Sequence, residues 1–235
     1  VGAGYRGASR MMKSIALKLA ESKEANMTYR FLNNAAPQTP NFYHNNLYRL
    51  DLSDKNQTST GDRITNIGTG NGRNQRNGLE IMATGFRIRG TFSIPFDRRN
   101  VTIKLWQVEW DSSQGDPANK SNFFTGGGTP NVMLSPINTD RYKNVKLLRT
   151  MRAKSRDLYV ERGELTDAGA DATVYYNMWI PFKRKLHYAV SQVTQGQKEY
   201  VSLILGVYDT PSTNQTTDIV VNNHEQYIQF FYKDP

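Results

Sequence analysis

No cysteine occurs among the 235 residues, so neither a disulfide framework nor a zinc site of the common cysteine-containing kinds can form. That fits a reducing compartment. Histidine is nearly as scarce: His44, His187 and His224 are the only three, and no two share a metal-ligand spacing. The sequence has no P-loop, G-x-S-x-G elbow or H-E-x-x-H helix, the motifs that place a phosphate cradle, a nucleophile or a catalytic zinc. No apolar run approaches the ~20 residues of a membrane-spanning helix, and no signal-peptide pattern opens the chain. It begins at Val1 rather than Met, which leaves room for residues upstream. From Arg141 to Arg156 there is no acid at all. An enzyme is not expected, nor membrane insertion.

Positive charge is what the chain has in excess. Lys and Arg number 30 against 21 Asp and Glu, giving +9 at neutral pH and a pI near 9.6. Mean hydropathy is −0.65. Such a balance calls for an anionic partner, either nucleic acid or an acidic membrane surface. The acidic pairs Glu161/Glu164 and Asp167/Asp171 fall in a charged loop. Solvated carboxylates are the default there; structural calcium between subunits is a minority alternative, and no other cofactor is expected. The sequons at Asn26, Asn56, Asn100, Asn119 and Asn214 are expected by chance in a chain rich in Asn and Thr.

The stretch from Gln75 to Gly90 organises the rest. A polar, Gly-rich run ends at Gly78, and Phe86, Ile88 and Gly90 then alternate with Arg87 and Arg89. That is the period of two of a half-buried strand with a basic face. Eight strands are predicted after residue 78: 79–94, 101–110, 131–134, 141–154, 173–180, 186–190, 200–208 and 225–232. Before them, Leu47–Leu52 is one short candidate. Loops are expected at 111–129, 155–172 and 209–224, where Gly, Ser, Asn and Asp interrupt the apolar patterns. Gly68 to Gly72 resembles a dinucleotide-binding loop only superficially, since no strand–turn–helix surrounds it; a surface loop is expected.

Helical periodicity is confined to residues 8–24. Met11, Met12, Ile15, Ala16, Leu19 and Ala20 share one face, with Arg10, Lys13 and Lys18 opposite. This reads either as an amphipathic helix on the domain surface or as a basic arm that meets an anion. Arg6 and the lead-in glycines Gly2, Gly4 and Gly7 favour the arm. Residues 1–32 are therefore assigned to an N-terminal arm and 33–235 to one β domain. No helical pattern follows to cross between parallel strands, so antiparallel sheets are favoured. Eight strands with unequal loops suit a single two-sheet, eight-stranded antiparallel jelly roll.

The ordered features resemble the coat proteins of very small icosahedral viruses, above all circular, Rep-encoding single-stranded DNA viruses of the circovirus kind. The coat of satellite tobacco necrosis virus, an RNA satellite, is similarly built. The residues that carry the resemblance are Gln75-Arg76-Asn77-Gly78 with Ile81, Ile88, Gly90 and Thr91, similar to the opening of the first jelly-roll strand. Arg141-Tyr142-Lys143 with Val145 to Leu148, and the terminal Tyr227 to Pro235, complete the set. The helix before the roll resembles the satellite coat's inner arm. The chain is longer than that coat and has no dense Arg-rich N-terminal tract; any such tract is expected before Val1. The resemblance implies a virion protein that assembles with copies of itself into a T=1 shell in the host nucleus or cytoplasm. It implies packaging of a single-stranded genome, circular DNA or satellite-type RNA, and contact with a host receptor. The rival class is a non-viral jelly-roll module, lectin-like or nucleic-acid-binding. A cupin-like enzyme would need a metal cluster that the sequence lacks.

Candidate phosphate ligands are Arg6, Arg10, Lys13 and Lys18 on the arm, Arg87 and Arg89 on the first long strand, and Arg149, Arg152 and Lys154 within the acid-free run. So many like charges repel unless an anion neutralises them. Lys183-Arg184-Lys185 forms another basic cluster, expected in a tight turn. Tyr5, Trp106, Trp110 and Trp179 are candidates for stacking unpaired bases, although core packing is favoured for Trp106 and Trp179 because they sit inside strands.

Overall fold

A computed structural model describes residues 12, 20–27, 41–52, 67–95, 97–98, 100–126, 130–142, 144–154, 171–189, 192–193, 199–210 and 212–234. It is all-β apart from short helical turns. The strands are β1 (Glu21–Met27), β2 (Phe42–Tyr43), β3 (Asn46–Asp51), β4 (Glu80–Ile94), β5 (Asn100–Asp111), β6 (Asn144–Lys154), β7 (Ala172–Ala189), β8 (Gln192–Val193), β9 (Glu199–Asp209), β10 (Ile219–Val221) and β11 (Asn223–Asp234). They form a five-stranded sheet ordered β1-β11-β4-β7-β8, a four-stranded sheet ordered β3-β9-β5-β6, and a small β10-β2 pair. All the ladders between these strands are antiparallel.

Four of the pairings nest. β1 pairs with β11, β3 with β9, β4 with β7 and β5 with β6, and successive pairs alternate between the two large sheets. Phe86, Ile88 and Phe92 of β4 and Ile228, Phe230 and Tyr232 of β11 fill the space between the sheets. Ile103 and Leu105 of β5 and Leu203, Leu205 and Val207 of β9 meet them from the other side. The β4 set follows the predicted alternation, which leaves Arg87 and Arg89 exposed on the opposite face of β4.

Three strand expectations change. Residues 131–134 form a turn. The segments at 173–180 and 186–190 are one strand, β7, running through Pro181; the β4 ladder shifts register beside it, between Ala83 and Gly85, the irregularity at which a residue without an N–H is tolerated. Lys183, Arg184 and Lys185 are therefore strand residues, not a turn, and Arg184 reaches Glu109 at 3.4 Å. The third change is at the N-terminus. Met12 is helical, but Glu21–Met27, at the end of the predicted arm helix, is strand β1. Pairing along β11 overrides the helix preference of its Glu, Lys and Ala. Lys23 faces inward and is buried, 3.0 Å from Asp234 and 3.3 Å from the Asn77 side chain.

Gln75-Arg76-Asn77-Gly78 proves to be a structural clip. Arg76 is fully buried; its Nε donates to the Ile67 carbonyl at 3.0 Å and its guanidinium lies 4.3 Å from the centre of the Tyr188 ring. The Asn77 amide donates to Asp234 at 2.6 Å, and the Tyr232 hydroxyl donates to the Gln75 carbonyl at 3.0 Å.

The expected loop at 111–129 is largely a cover. Ser112–Gln114 forms a 3-10 turn and Lys120–Phe123 a short helix, α1, capped by the Asn119 side chain. Phe123, Phe124, Val132 and Tyr142 close over Leu47, Trp106, Val108 and Ile204 on the outer face of the four-stranded sheet. Burial pushes the Tyr142 phenol up to about 12, and its hydroxyl donates to the Gly115 carbonyl at 2.8 Å. Of the expected loop at 209–224, Val220 and Val221 are fully buried in β10, and Asp209 and Ser212 are buried too; among the described residues Thr210, Asn223 and most of the turn at 213–218 are exposed. Residues 155–170 lie outside the described residues. Among those described, no helix is long and apolar enough to cross a membrane.

His224 gives the fold a dependence on pH. Its ring stacks on Phe92 at 4.7 Å, and its Nε2 lies 2.8 Å from the Tyr176 hydroxyl. Burial pushes its pKa from 6.5 down to about 4 and raises that of Tyr176. Between those two values the unfolded chain binds a proton that the folded chain does not. Stability is therefore full above pH 6.5 and falls as pH drops toward 4, by up to about 3 kcal/mol from this one group. Urea denaturation across that window should show the loss, and His224→Gln should flatten it. Parallel pH profiles for the two proteins would refute the assignment.

Candidate nucleic-acid interface

The outer face of the five-stranded sheet is built in rows across β11, β4 and β7. Antiparallel pairing places Gln229, Arg87 and Trp179 in one row, Tyr227, Arg89 and Asn177 in the next, and Glu225, Thr91 and Tyr175 in a third. The arginines thus run along the central strand with aromatic rings on both flanks. Tyr175 is 72% exposed, Trp179 50% and Tyr227 46%. Rings of that size on a solvent face are the informative departure from ordinary burial.

The rings are held. Tyr227 donates its hydroxyl to the Asn26 side chain at 2.6 Å, which ties it to β1. Trp179 crosses Gly85 toward Phe231, with ring centres 5.4 Å apart. A Cβ at Gly85 would stand 2.4 Å from the indole and 2.6 Å from the Ile180 carbonyl, so only glycine admits the crossing. Arg87 Nε donates to the Asn177 side chain at 3.4 Å.

Arg149 joins this face from the other sheet. It pairs with Leu105 across β5, whose side chain points into the core, but β6 is the sheet's edge. The guanidinium emerges there and donates to the Asn177 carbonyl of β7 at 3.5 Å. With Arg89, Tyr175, Tyr227 and Glu225 it lines an open concavity of about 780 Å³. Among the described residues the ion pairs lie elsewhere, for example Lys23 with Asp234, Arg49 with Asp51 and Asp116, Arg98 with Asp209, Lys185 with Glu80 and Arg184 with Glu109. Arg87, Arg89 and Arg149 keep their charge available to a ligand, with Glu225 the one acid lining the concavity.

The other predicted ligands are placed differently. Arg152 is exposed opposite Thr102, on the outer face of the four-stranded sheet near Lys104, whose pKa is lowered by burial and by Arg152. It therefore belongs to the opposite side of the sandwich. Lys154 ends β6, and its side chain lies outside the described residues, as do Arg6, Arg10, Lys13 and Lys18. Of the stacking candidates, Trp106 and Trp110 are buried, Tyr5 lies outside the described residues, and Trp179 reverses the expected core placement by facing solvent. Sequence reasoning did not single out Tyr175 and Tyr227. From Val174 to Ile180 all but Asn177 is apolar or aromatic, so a period of two leaves the outward side of β7 undecided.

The arrangement offers three cations, flat aromatic surfaces and the Asn177 side-chain amide on one face, the chemistry of a phosphate-and-base surface. Among the described residues no group of three or more His, Asp or Glu could hold a metal ion. A scan against protein-family models finds no match for the chain, and a search of curated proteins finds no significant one.

Proposed function

We propose that the chain is the structural subunit of a small icosahedral capsid, and that the strands of its two large sheets, apart from the two-residue β8, form an eight-stranded antiparallel jelly roll. The observation that carries this reading is the nesting of the four antiparallel pairs, β1·β11, β3·β9, β4·β7 and β5·β6, which alternate between the sheets. A long hairpin ribbon wrapped on itself has that pattern, and the architecture recurs in viral capsid and lectin domains. The basic face and the pI of about 9.6 favour the capsid over the lectin.

The mechanism is physical. Heterologous contacts that close around symmetry axes give a finite shell, each contact removing ~1,200–2,000 Å² from water; T=1 symmetry follows the sequence resemblance. Assembly would crowd Arg87, Arg89 and Arg149, with the arm residues Arg6, Arg10, Lys13 and Lys18, into one cavity. A single-stranded genome relieves their repulsion, so packaging and assembly are coupled, and phosphate contacts serve DNA and RNA alike. The resemblance favours circular single-stranded DNA. A monomeric nucleic-acid-binding module is the second reading, favoured because the concavity is complete within one chain.

Light scattering and electron microscopy separate the two. Purified protein should give closed particles of uniform size, far larger than the 26.7 kDa chain. Monomers or small oligomers only, across a range of salt and pH, would reject the capsid.

A further inference from the structure

We infer that the concavity on the five-stranded sheet is a stacking site for an unpaired nucleotide base, with Tyr227 and Tyr175 as the ring partners and Arg89 and Arg149 as phosphate ligands. This rests on the basic face being the nucleic-acid interface and adds what that face recognises. Phosphates alone need no rings, yet the two tyrosines beside the arginines stand 46% and 72% exposed. A contact with a second protein surface would favour apolar neighbours around them, whereas Arg89, Asn177 and Thr91 lie between. β11 and β7 flank β4, so the two tyrosine positions stand about 10 Å apart across the sheet, one row out of step.

Charge across the concavity is graded: Glu225 is on β11 and Arg149 lies beyond β7. A phosphate is drawn toward Arg89 and Arg149 and repelled from Glu225, which leaves the base to lie over the tyrosines. A duplex hides the flat surfaces of its bases, so the site selects single strands and tolerates any sequence.

The test uses the full chain, stripped of co-purifying nucleic acid, and four probes of equal length: an oligothymidylate, an oligodeoxyadenylate, their duplex and an abasic strand. Binding is read by tryptophan fluorescence, since Trp106 and Trp110 are buried and Trp179 lies on the face, and by anisotropy of labelled strands. Both single strands should bind at least about tenfold tighter than the abasic strand or the duplex. Tyr175→Leu and Tyr227→Leu should each lose about tenfold with the salt slope unchanged, whereas Tyr227→Phe keeps the affinity. Arg89→Ala and Arg149→Ala should each reduce the salt slope by roughly 0.7. Circular dichroism checks that each variant is folded, and Tyr→Ala replaces any leucine variant that is not. If the abasic strand or the duplex binds as well as the thymidylate, or the tyrosine variants bind like the parent while the arginine variants weaken, stacking is overturned and the basic interface stands. If the arginine variants also bind like the parent, the interface itself is overturned.

Discussion

Lys23→Ala should destabilise the protein by about 3–5 kcal/mol, although the residue lies on an edge strand. Its ammonium is buried 3.0 Å from the equally buried Asp234. Removing it leaves a carboxylate in a dry site with the Asn77 amide, at 2.6 Å, to share its charge. Breaking one half of a buried ion pair costs that much because the surviving charge is uncompensated. Replacing both halves, as in Lys23→Met with Asp234→Leu, removes the stranded charge and should recover much of the loss. Urea denaturation of the two single variants and the double variant decides the matter. A single-variant cost below about 1 kcal/mol, or a double variant that costs the sum of the singles, would show that the pair does not close the β1–β11 edge.

That pair also marks a limit of sequence reading. Glu21-Ser-Lys-Glu-Ala has helix-favouring composition, and only the pairing of Lys23 with Tyr232 and of Ala25 with Phe230 makes it a strand. β4 was legible because Phe86 and Ile88 are separated by arginines, so the period of two named both its faces. β7 was legible as strand but not in its facing, because Tyr175-Tyr176 and Trp179-Ile180 put an apolar or aromatic residue on each side. The candidate site follows the same rule. Arg87 and Arg89 could be assigned to one face from β4 alone. Arg149 could not join them on paper, since its place depends on how the edge of one sheet lies beside the other, and the run that supplied it also supplied Arg152 to the opposite side. The motif around Arg76 does precede a strand, β4, but β1 and β3 come before it in the two large sheets, so it does not open the first strand, and its arginine is a buried clip.

Phe123→Ala should cost about 3–5 kcal/mol or open the segment 112–142 locally, and amide exchange distinguishes the two. Phe123 is fully buried, with ring centres 5.5 Å from Trp106, 4.9 Å from Phe124 and 5.9 Å from Tyr142. Truncating such a ring loses its transfer free energy and leaves a cavity. The cover is also pinned by polar contacts: Arg49 meets Asp116 at 2.6 Å, Lys104 donates to the Met133 carbonyl at 2.7 Å, and Asn45 accepts from the Val132 amide at 2.9 Å. If those pins hold, the whole domain bears the cost and the urea midpoint falls. If they yield first, amides of 112–142 exchange faster while those of Leu203 and Leu205, on the core side of β9, keep their protection. In either case Trp106 and Ile204 lose their cover, and binding of a hydrophobic dye should rise. An unchanged midpoint with unchanged exchange across 112–142 would mean that Phe123 does not hold the cover. The one clue in the sequence was the adjacent pair Phe123-Phe124 in an otherwise polar stretch, since two neighbouring phenyl rings are seldom left to solvent when a sheet face lies within reach.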